Sequence, residues 1–305
     1  MLYEEFVVNV VKKLRQYLPS DWDDTALKCI QIPRNNNVYR LGIQLQPKKK
    51  GKSDTDIKIS INLLDFYQSY QEGTPMETVL SMIAQEITDL CEDGGYASLQ
   101  EKSYDWAKEH LLVEVCNEEM NRSQLLYMPH EKREDLALRY LVWTDNGSRH
   151  IVRITNAQLK HWGISEETLR KDAWENMKKK LPPVVHTLNE VLMEIYEQHS
   201  LEIEDEPILD DCLYFISNAE RFQGAGYMFD EELMFHLAQC FEDDLIIIPS
   251  SIHEILLLKK QHAGNIGELV KMVTDINSSQ VLPEEILSNN VYVFDRKTRK
   301  INMFD

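Results

Sequence analysis

The sequence predicts an α+β protein in which mixed sheets are covered by amphipathic helices and shared between two subdomains. Apolar residues recur at helical spacing in some segments and form short β-branched runs in others, and both kinds of segment occur in each half of the chain. With 305 residues, the chain exceeds the size at which one hydrophobic core usually suffices. We therefore expect two α+β subdomains, residues 1–130 and residues 131–305.

The first subdomain is predicted to begin with a helix over residues 2–18. Its apolar positions Leu2, Phe6 and Val10 follow helical spacing, and Pro19 ends the pattern. Turn residues then separate three β-rich segments, which we expect to form strands at residues 27–33, 39–45 and 57–61.

A second helix is predicted to begin near Thr74. Thr74 suits the N-cap, Pro75 suits the first helical position and Glu77 completes a capping box. The apolar run at residues 111–115 fits either a strand or a helix turn, because so short a run has no diagnostic period.

The second subdomain is predicted to contain both strands and helices after residue 131. Pro182 and Pro183 interrupt it at a joint within the subdomain. Before this joint we expect strands at residues 136–143 and 150–155 and helices at 156–161 and 166–180. After it we expect helices at residues 187–199, 228–241 and 265–277, strands at 212–217, 244–248 and 253–258, and a closing hairpin around 295–300.

The net charge of −18 is concentrated in one region. Residues 187–254, here called the acidic region, hold 17 Asp or Glu and one basic residue, Arg221, which gives a net charge of −16. A field of this sign repels nucleic-acid phosphates and attracts basic protein surfaces or cations, although a solvated face that maintains solubility is the alternative interpretation. The candidate binding residues are eight carboxylates of this region: Glu202, Glu204, Asp205, Glu206, Asp210, Asp211, Asp243 and Asp244.

Cysteine usage and hydropathy indicate the compartment. The five cysteines are widely spaced and include no CxxC pair, which predicts buried thiols in a reducing cytoplasm and disfavours a zinc knuckle. The N-terminal segment lacks the order of a signal peptide, and the longest apolar runs are far shorter than the roughly 18 residues of a membrane span. We expect a soluble cytoplasmic protein.

Five segments of the chain carry a resemblance to a known family: NLLDFYQSYQEGTPMETVL (62–80), WGISEETL (162–169), NAERFQGAGYMF (218–229), LIIIPSSIHEILLL (245–258) and VYVFD (291–295). In these segments the chain resembles an uncharacterised bacterial family, domain of unknown function family 5688, found in Gram-positive gut bacteria and often on mobile elements. The likeness extends over nearly the whole chain in the same order. It implies a bacterial, cytoplasmic setting and supplies no activity, cofactor or catalytic residue.

The strongest catalytic candidates are Ser250, His253 and Glu254, which lie in the PSSIHE segment between two apolar runs. A nucleophile, a base and an acid must converge beside an oxyanion donor. Neighbouring residues of an extended strand point to opposite faces, so His253 and Glu254 converge only if the segment turns. An enzyme would need a pocket that includes His253, reached by Asn218 and Tyr227; a simple polar turn is the alternative interpretation.

Neither a metal motif nor a cofactor motif is found in the sequence. No HExxH occurs, and no two histidines are four residues apart. The acidic segment at residues 202–211 lacks the EF-hand order. Gly224 and Gly226 begin a G-x-G-x-x-G pattern, but Phe229 stands where the third glycine would be. We therefore predict no metal and no cofactor.

These observations favour a non-enzymatic accessory protein that binds a basic protein partner through its acidic region. A narrower form is a DNA-mimicking antirestriction or antidefence protein of a mobile element, whose carboxylates would follow the spacing of phosphates. An enzyme with a nonstandard site near His253 is the rival class. A homo-oligomer is compatible with all three, whereas direct nucleic-acid binding and a membrane location are disfavoured.

Overall fold

The computed structural model describes residues 1–20, 26–45, 59–92, 99, 102–145, 149–191, 193 and 212–304. Contacts between Cα atoms divide the chain into two units. The first unit comprises Met1–Ala107 with Trp143–Val152, and the second comprises Lys108–Val142 with Arg153–Asp305. The boundary predicted from the sequence, between residues 130 and 131, lies in the second unit, within a strand at His130–Arg133.

The first unit begins with helix α1 (Tyr3–Lys13), which a 3₁₀ turn extends over Leu14–Tyr17. A three-stranded antiparallel sheet follows, in which β2 (Tyr39–Leu45) lies between β1 (Leu27–Pro33) and β3 (Ile59–Asn62). Helices α2 (Leu64–Gln71), α3 (Met76–Glu92) and α4 (Tyr104–Lys108) come next in the chain. The predicted first helix, three strands and helix near Thr74 are all present, but helix α2 between β3 and α3 was not predicted. Residues 57–58 of the third predicted strand lie outside the described residues.

A hydrophobic cluster lies in the core of the first unit. Phe6, Val7 and Val10 of α1 are fully buried, because their three- and four-residue spacing places them on one helix face. They share the cluster with buried residues of β2, β3 and α3: Ile43, Leu45, Ile59, Ile61, Val79, Leu80, Ile83 and Ile87.

A four-stranded sheet is built around the ten-residue strand β6. Its strands are β4 (Leu111–Asn117), β5 (His130–Arg133), β6 (Leu136–Asp145) and β7 (Arg149–Arg153), with helix α5 (Arg122–Leu125) between β4 and β5 in sequence. Strands β4, β5 and β7 each pair with β6. The apolar run at residues 111–115, which the sequence left open, is therefore a buried strand.

Two capped helices follow β7. Helix α6 (Asn156–Trp162) begins after Thr155, whose hydroxyl accepts a hydrogen bond from the backbone N–H of Gln158. It ends at Gly163, whose φ of 67° is a left-handed conformation that glycine adopts without a Cβ clash. Helix α7 (Glu166–Lys180) begins after Ser165, as the sequence predicts, since the Ser165 hydroxyl accepts from the N–H of Thr168.

A six-stranded antiparallel sheet organises the rest of the second unit, in the spatial order β13-β12-β10-β11-β9-β8. In chain order its elements are β8 (Pro183–Thr187), β9 (Leu213–Asn218), helix α8 (Glu231–Phe241), β10 (Leu245–Ser251), β11 (Glu254–Lys259), helix α9 (Ile266–Ser279), β12 (Tyr292–Asp295) and β13 (Lys300–Met303). One core cluster joins Ile246 and Ile248 of β10 to Val273 of α9 and to Val291. The predicted α+β class is confirmed.

Three local expectations differ from the structure. The sheets are antiparallel where mixed sheets were expected, because sequence neighbours such as β10 and β11 pair directly as hairpins. Strand β8 was not predicted; it lies at the edge of its sheet, where a proline is tolerated as the first residue. Cys29 and Cys240 are exposed although buried thiols were expected. The predicted helix at residues 187–199 lies partly outside the described residues.

Candidate functional site

The turn between β10 and β11 carries the predicted catalytic residues. The pairing register shifts between Pro249 and Ser251, so the strands end in an irregular turn. The backbone of His253 is held from both sides: its N–H donates to Ser251 Oγ (3.1 Å), and its carbonyl accepts from Ser217 Oγ (2.7 Å). The position of the imidazole is therefore set by strand β9 as well as by the turn.

The His253 ring lies between a backbone amide and a carboxylate. Its Nδ1 accepts a hydrogen bond from the N–H of Gln223 (3.3 Å), which places the proton of the neutral ring on Nε2. Nε2 is 3.6 Å from Oε1 of Glu285, and the side chains of His253 and Glu285 are 27% and 30% exposed. The ring is thus oriented, reachable by solvent and paired with an acid.

Glu285 is itself held in place by its segment. Its carbonyl accepts from the N–H of Ile252, and the nearby carbonyl of Leu287 accepts from Asn117 Nδ2 (2.8 Å). Asp135 accepts further hydrogen bonds from Ser288 Oγ (2.6 Å) and from the Tyr292 hydroxyl. No local pattern in the sequence signals Glu285, because it reaches His253 through the packing of a distant segment.

The three predicted catalytic residues do not form one chain of hydrogen bonds. Ser250 Oγ donates to Oε1 of Glu254 (3.3 Å), whereas the ring nitrogens of His253 face Gln223 and Glu285. Ser250 and Glu254 therefore form a pair separate from His253.

Asn218 and Tyr227, which an enzyme would need near His253, bond to backbone groups of other residues. Asn218 Nδ2 donates to the carbonyl of Phe222 (2.7 Å), and Asn218 Oδ1 accepts from the N–H of Phe222 (3.2 Å). The Tyr227 hydroxyl donates to the carbonyl of Leu181, and burial raises the pKa of Tyr227. Both side chains shape the segment at residues 218–229 that carries Gln223.

Gln223 is the most unusual residue of this segment. Its φ of 55° is left-handed, and its side chain is 1% exposed. Among the described residues, its buried Oε1 has no hydrogen-bond partner. A strained backbone and an unsatisfied buried amide beside His253 are features that cluster at functional sites.

The glycines of the QGAGY segment pack closely and do not form an anion loop. Residues 224–229 form a 3₁₀ helix in which Gly224 and Gly226 are buried. A Cβ on Gly224 would lie 2.4 Å from the His253 carbonyl oxygen and 2.7 Å from Ser217 Cα. The segment needs glycine because the backbones of β9 and of the β10–β11 turn approach it.

Six of the predicted binding residues, Glu202, Glu204, Asp205, Glu206, Asp210 and Asp211, lie outside the described residues. Asp243 and Asp244 are described, and both bond to neighbouring elements. Asp243 Oδ2 accepts from the N–H of Gln261 (2.9 Å), and Asp244 accepts from the N–H of Arg296 (3.1 Å) and from Lys260 Nζ (3.1 Å). These two carboxylates position local backbone segments.

Five other carboxylates of the acidic region are exposed among the described residues: Glu190, Glu220, Glu231, Glu232 and Glu242. Glu231 and Glu232 form the first turn of α8, where the helix dipole favours negative charge. Asp230 is the N-cap, and its Oδ2 is 2.8 Å from Lys178 Nζ. The exposed carboxylates of Glu231 and Glu232 therefore lie in the first turn of a capped helix.

A buried ionic cluster lies in the sheet of β6, and sequence reasoning missed it. Glu114 of β4 and Arg139 of β6 are directly opposite in the strand register and fully buried. Glu114 accepts from Nε of Arg139 (2.5 Å) and from Nε and Nη2 of Arg153 (2.8 and 2.9 Å). The sequence signal is a charged residue inside each of two apolar strands, Glu114 in β4 and Arg139 in β6, whereas Arg153 ends a strand that is itself largely polar.

Charge pairing dominates the ionisation of this cluster. Burial by itself would raise the pKa of Glu114, but the guanidinium groups of Arg139 and Arg153 hold that pKa well below its usual range. Burial likewise opposes the charge of Arg153, yet the Glu114 carboxylate raises the pKa of Arg153. The pairing therefore keeps Glu114 and Arg153 charged at neutral pH, and the cluster has a structural role.

Comparison with known proteins bears on the family of this chain. The model of the "Family of unknown function (DUF5688)" matches residues 3–296, which is nearly the whole chain. The chain belongs to this family. No curated protein and no solved structure gives a significant match. The resemblance carried by the five segments quoted above is therefore confirmed at the level of the family.

Membrane-spanning helices and clusters of metal ligands are both absent from the described part of this DUF5688 protein. Within the described ranges, no helix is long and apolar enough to cross a membrane. The same residues contain no group of three or more His, Cys, Asp or Glu side chains arranged to hold a metal ion.

Proposed function

We propose that this DUF5688 protein is a non-enzymatic accessory protein that binds a basic protein partner through its acidic region, residues 187–254. The observation that carries the proposal is the imbalance of this region, 17 acidic residues against Arg221 alone. Such a field steers a basic partner and speeds its association. The setting we propose is the bacterial cytoplasm, in keeping with the free thiols of Cys29, Cys116, Cys212 and Cys240.

The exposed carboxylates of α8 support this proposal. Asp243 and Asp244 already bond to backbone groups and Lys260, so they offer a partner less than Glu231 and Glu232 do. Glu231 and Glu232 are exposed neighbours on a helix of eleven residues, which presents them without a cost in loop ordering.

A matched pair of double variants tests the proposal. Glu231→Lys/Glu232→Lys and Glu166→Lys/Glu167→Lys both reverse two exposed glutamates in the first turn of a capped helix, so the change in net charge and the cost to the helix dipole are the same. Only the first pair lies in the acidic region. We expect the first variant to lose captured partner by at least about tenfold in quantitative pull-down from the native host, and the second to retain it.

A second variant extends the test to the acidic segment at residues 202–211. Reversal of Glu204, Asp205, Glu206, Asp210 and Asp211 to Lys is expected to abolish capture, and capture by the unaltered chain is expected to weaken with added salt. If both variants capture the same proteins in the same amounts as the unaltered chain, and added salt does not reduce capture, the proposal is refuted. If the captured partner binds DNA and duplex DNA displaces the chain from it, the narrower proposal of DNA mimicry in antirestriction or antidefence is supported.

A second candidate function, an enzyme with a nonstandard site near His253, is favoured by the oriented pair of His253 and Glu285 beside the strained Gln223. Ser250 and Glu254 would supply a neighbouring hydroxyl and acid. His253→Gln in an activity screen across hydrolase substrate classes tests this candidate; turnover by the unaltered chain that His253→Gln leaves unchanged would reject it.

A further inference from the structure

His236 and Cys240 stand one helical turn apart on the exposed face of α8. The opposite face of the helix is buried through Met234, Leu237 and Ala238, which leaves His236 and Cys240 directed to solvent. The Cys240 Sγ is 3.7 Å from the His236 Nε2. An imidazole and a thiol, both metal-ligand types, thus meet at the surface of one rigid element.

This separation suits two ligands of one tetrahedral metal ion. A zinc–sulfur bond of about 2.3 Å and a zinc–nitrogen bond of about 2.1 Å, at a tetrahedral angle, place the two ligand atoms about 3.6 Å apart. The measured 3.7 Å between Sγ and Nε2 therefore needs almost no adjustment of either side chain. Positions four residues apart on a helix are also the spacing that zinc-binding helices use for two histidines.

The electrostatic surroundings favour a cation at this position. Glu232 lies one helical turn before His236, and Glu231 directly precedes Glu232. These two glutamates add negative charge to the exposed face of α8. Basic side chains beside α8 are engaged with other groups: Lys178 pairs with the N-cap Asp230, Arg299 lies over Phe235 and Lys259 lies over Phe241. The acidic region as a whole raises the local concentration of cations.

We propose that His236 and Cys240 form a chelating site for one soft divalent cation of the zinc class. The thiol of Cys240 loses its proton to solvent and binds as the thiolate, while neutral His236 binds through Nε2. Water fills the remaining positions, since the described residues offer no third converging ligand. Thiolate and imidazole together select zinc-like cations over Mg²⁺ or Ca²⁺, which prefer oxygen ligands.

The sequence predicted no metal because it contains no pair of histidines four residues apart, no CxxC pair and no EF-hand loop. A pair made of one histidine and one cysteine belongs to none of these motifs. The signal was nevertheless present, as H-x-x-x-C in a segment predicted to be helical. The two ligands, a thiol and an imidazole, differ from the α8 carboxylates that the proposed partner would contact, so substitution of the ligands tests the metal site separately from the partner.

Titration of the full chain with Co²⁺ and then Zn²⁺ tests the site, in a reductant that does not bind metals. We expect one Co²⁺ per chain with a thiolate-to-cobalt charge-transfer band, displaced by Zn²⁺. Cys240→Ser and His236→Gln should each weaken binding by at least about tenfold, the lower end of what losing even an outer-shell partner costs. Cys29→Ser is the matched control, because Cys29 is also an exposed free thiol, and it should bind as the unaltered chain does.

All three variants are at exposed positions, so unchanged circular dichroism and melting would show that each is folded. The absence of a charge-transfer band would overturn the proposal, as would a band that persists in Cys240→Ser. Binding that His236→Gln leaves intact would overturn the chelate, because the thiol would then act alone.

Discussion

At the scale of single residues, the ionic cluster of Glu114, Arg139 and Arg153 is sensitive to the loss of any one charge. One carboxylate receives hydrogen bonds from two guanidinium groups inside the sheet. Removing a buried charge leaves its partners uncompensated, whereas an exposed pair is screened by water.

We therefore expect Glu114→Gln to lower the free energy of unfolding by about 3–5 kcal/mol in urea denaturation. The control is Glu175→Gln, which breaks the exposed contact with Lys171 and should change stability by less than about 0.5 kcal/mol. Equal effects of the two variants would contradict the structural role of the cluster.

The contribution of this cluster to folding stability also depends on pH. The folded-state pKa of Glu114 lies below its unfolded value of about 4.3, so its contribution is complete above that pH and is lost as pH falls toward the lower folded pKa. The difference in stability between the unaltered chain and Glu114→Gln should be constant near neutrality and shrink in acid. A difference that grows in acid would show that other groups dominate.

Glu86 of α3 shows the opposite behaviour. Burial, followed by the charges of Asp65 and Asp89, raises the pKa of Glu86 to about 7. The folded state is thus penalised as pH rises from the unfolded pKa, near 4.3, through about 7. Glu86→Gln should stabilise the chain by on the order of 1 kcal/mol at about pH 8, allowing for partial exposure, and by little at about pH 4.5. Melting at both pH values measures this, and an equal gain at each would reject the titration.

At the scale of elements, the 3₁₀ helix at residues 224–229 fixes the candidate site. A Cβ on Gly224 would clash with backbone at His253 and Ser217. A Cβ on Gly226 would instead first meet side chains, the flexible end of Met177 at 3.3 Å and Val113 Cγ1 at 3.9 Å. The two glycines therefore tolerate a methyl group very differently, although they are two residues apart.

Gly224→Ala should destabilise the chain by at least about 1–3 kcal/mol, because backbone must move to admit the methyl group. Gly226→Ala is the control within the same element and should cost less, since the end of Met177 can shift. Chemical denaturation of the two variants decides between these expectations. Similar costs would mean that the close approach at Gly224 is not a constraint.

At the scale of the whole molecule, the uneven distribution of charge determines how stability depends on salt. Almost all of the net charge of −18 belongs to residues 187–254. Like charges held in one region repel each other, and salt screens them with a Debye length of about 8 Å at physiological ionic strength.

The melting temperature at neutral pH should consequently rise as NaCl is increased from about 0.01 M to about 0.15 M. The variant with Glu204, Asp205, Glu206, Asp210 and Asp211 reversed to Lys should respond less, because the five reversals reduce the net charge of its region from −16 to −6. A melting temperature that falls over this salt range would indicate that favourable ion pairs outweigh the repulsion.

Local structure follows from the sequence because its determinants lie within a few residues of one another. Three elements were predicted with nearly correct bounds, because the features that specify them span only a few residues. These features are the apolar spacing of α1, the N-cap Ser165 of α7 and the β-branched run of β10. The acidity of residues 187–254 and the resemblance to the family are likewise properties of the linear chain.

Convergence of distant residues is decided by tertiary structure. Glu285 reaches His253 through the packing of its segment, and Glu114 meets Arg139 and Arg153 through strand register, which shifts every contact when it slips by one residue. Even the short-range pair of His236 and Cys240 becomes a candidate chelate only because the helix buries its other face. Periodicity and composition therefore predicted the elements and their charge, while register and packing chose which side chains meet.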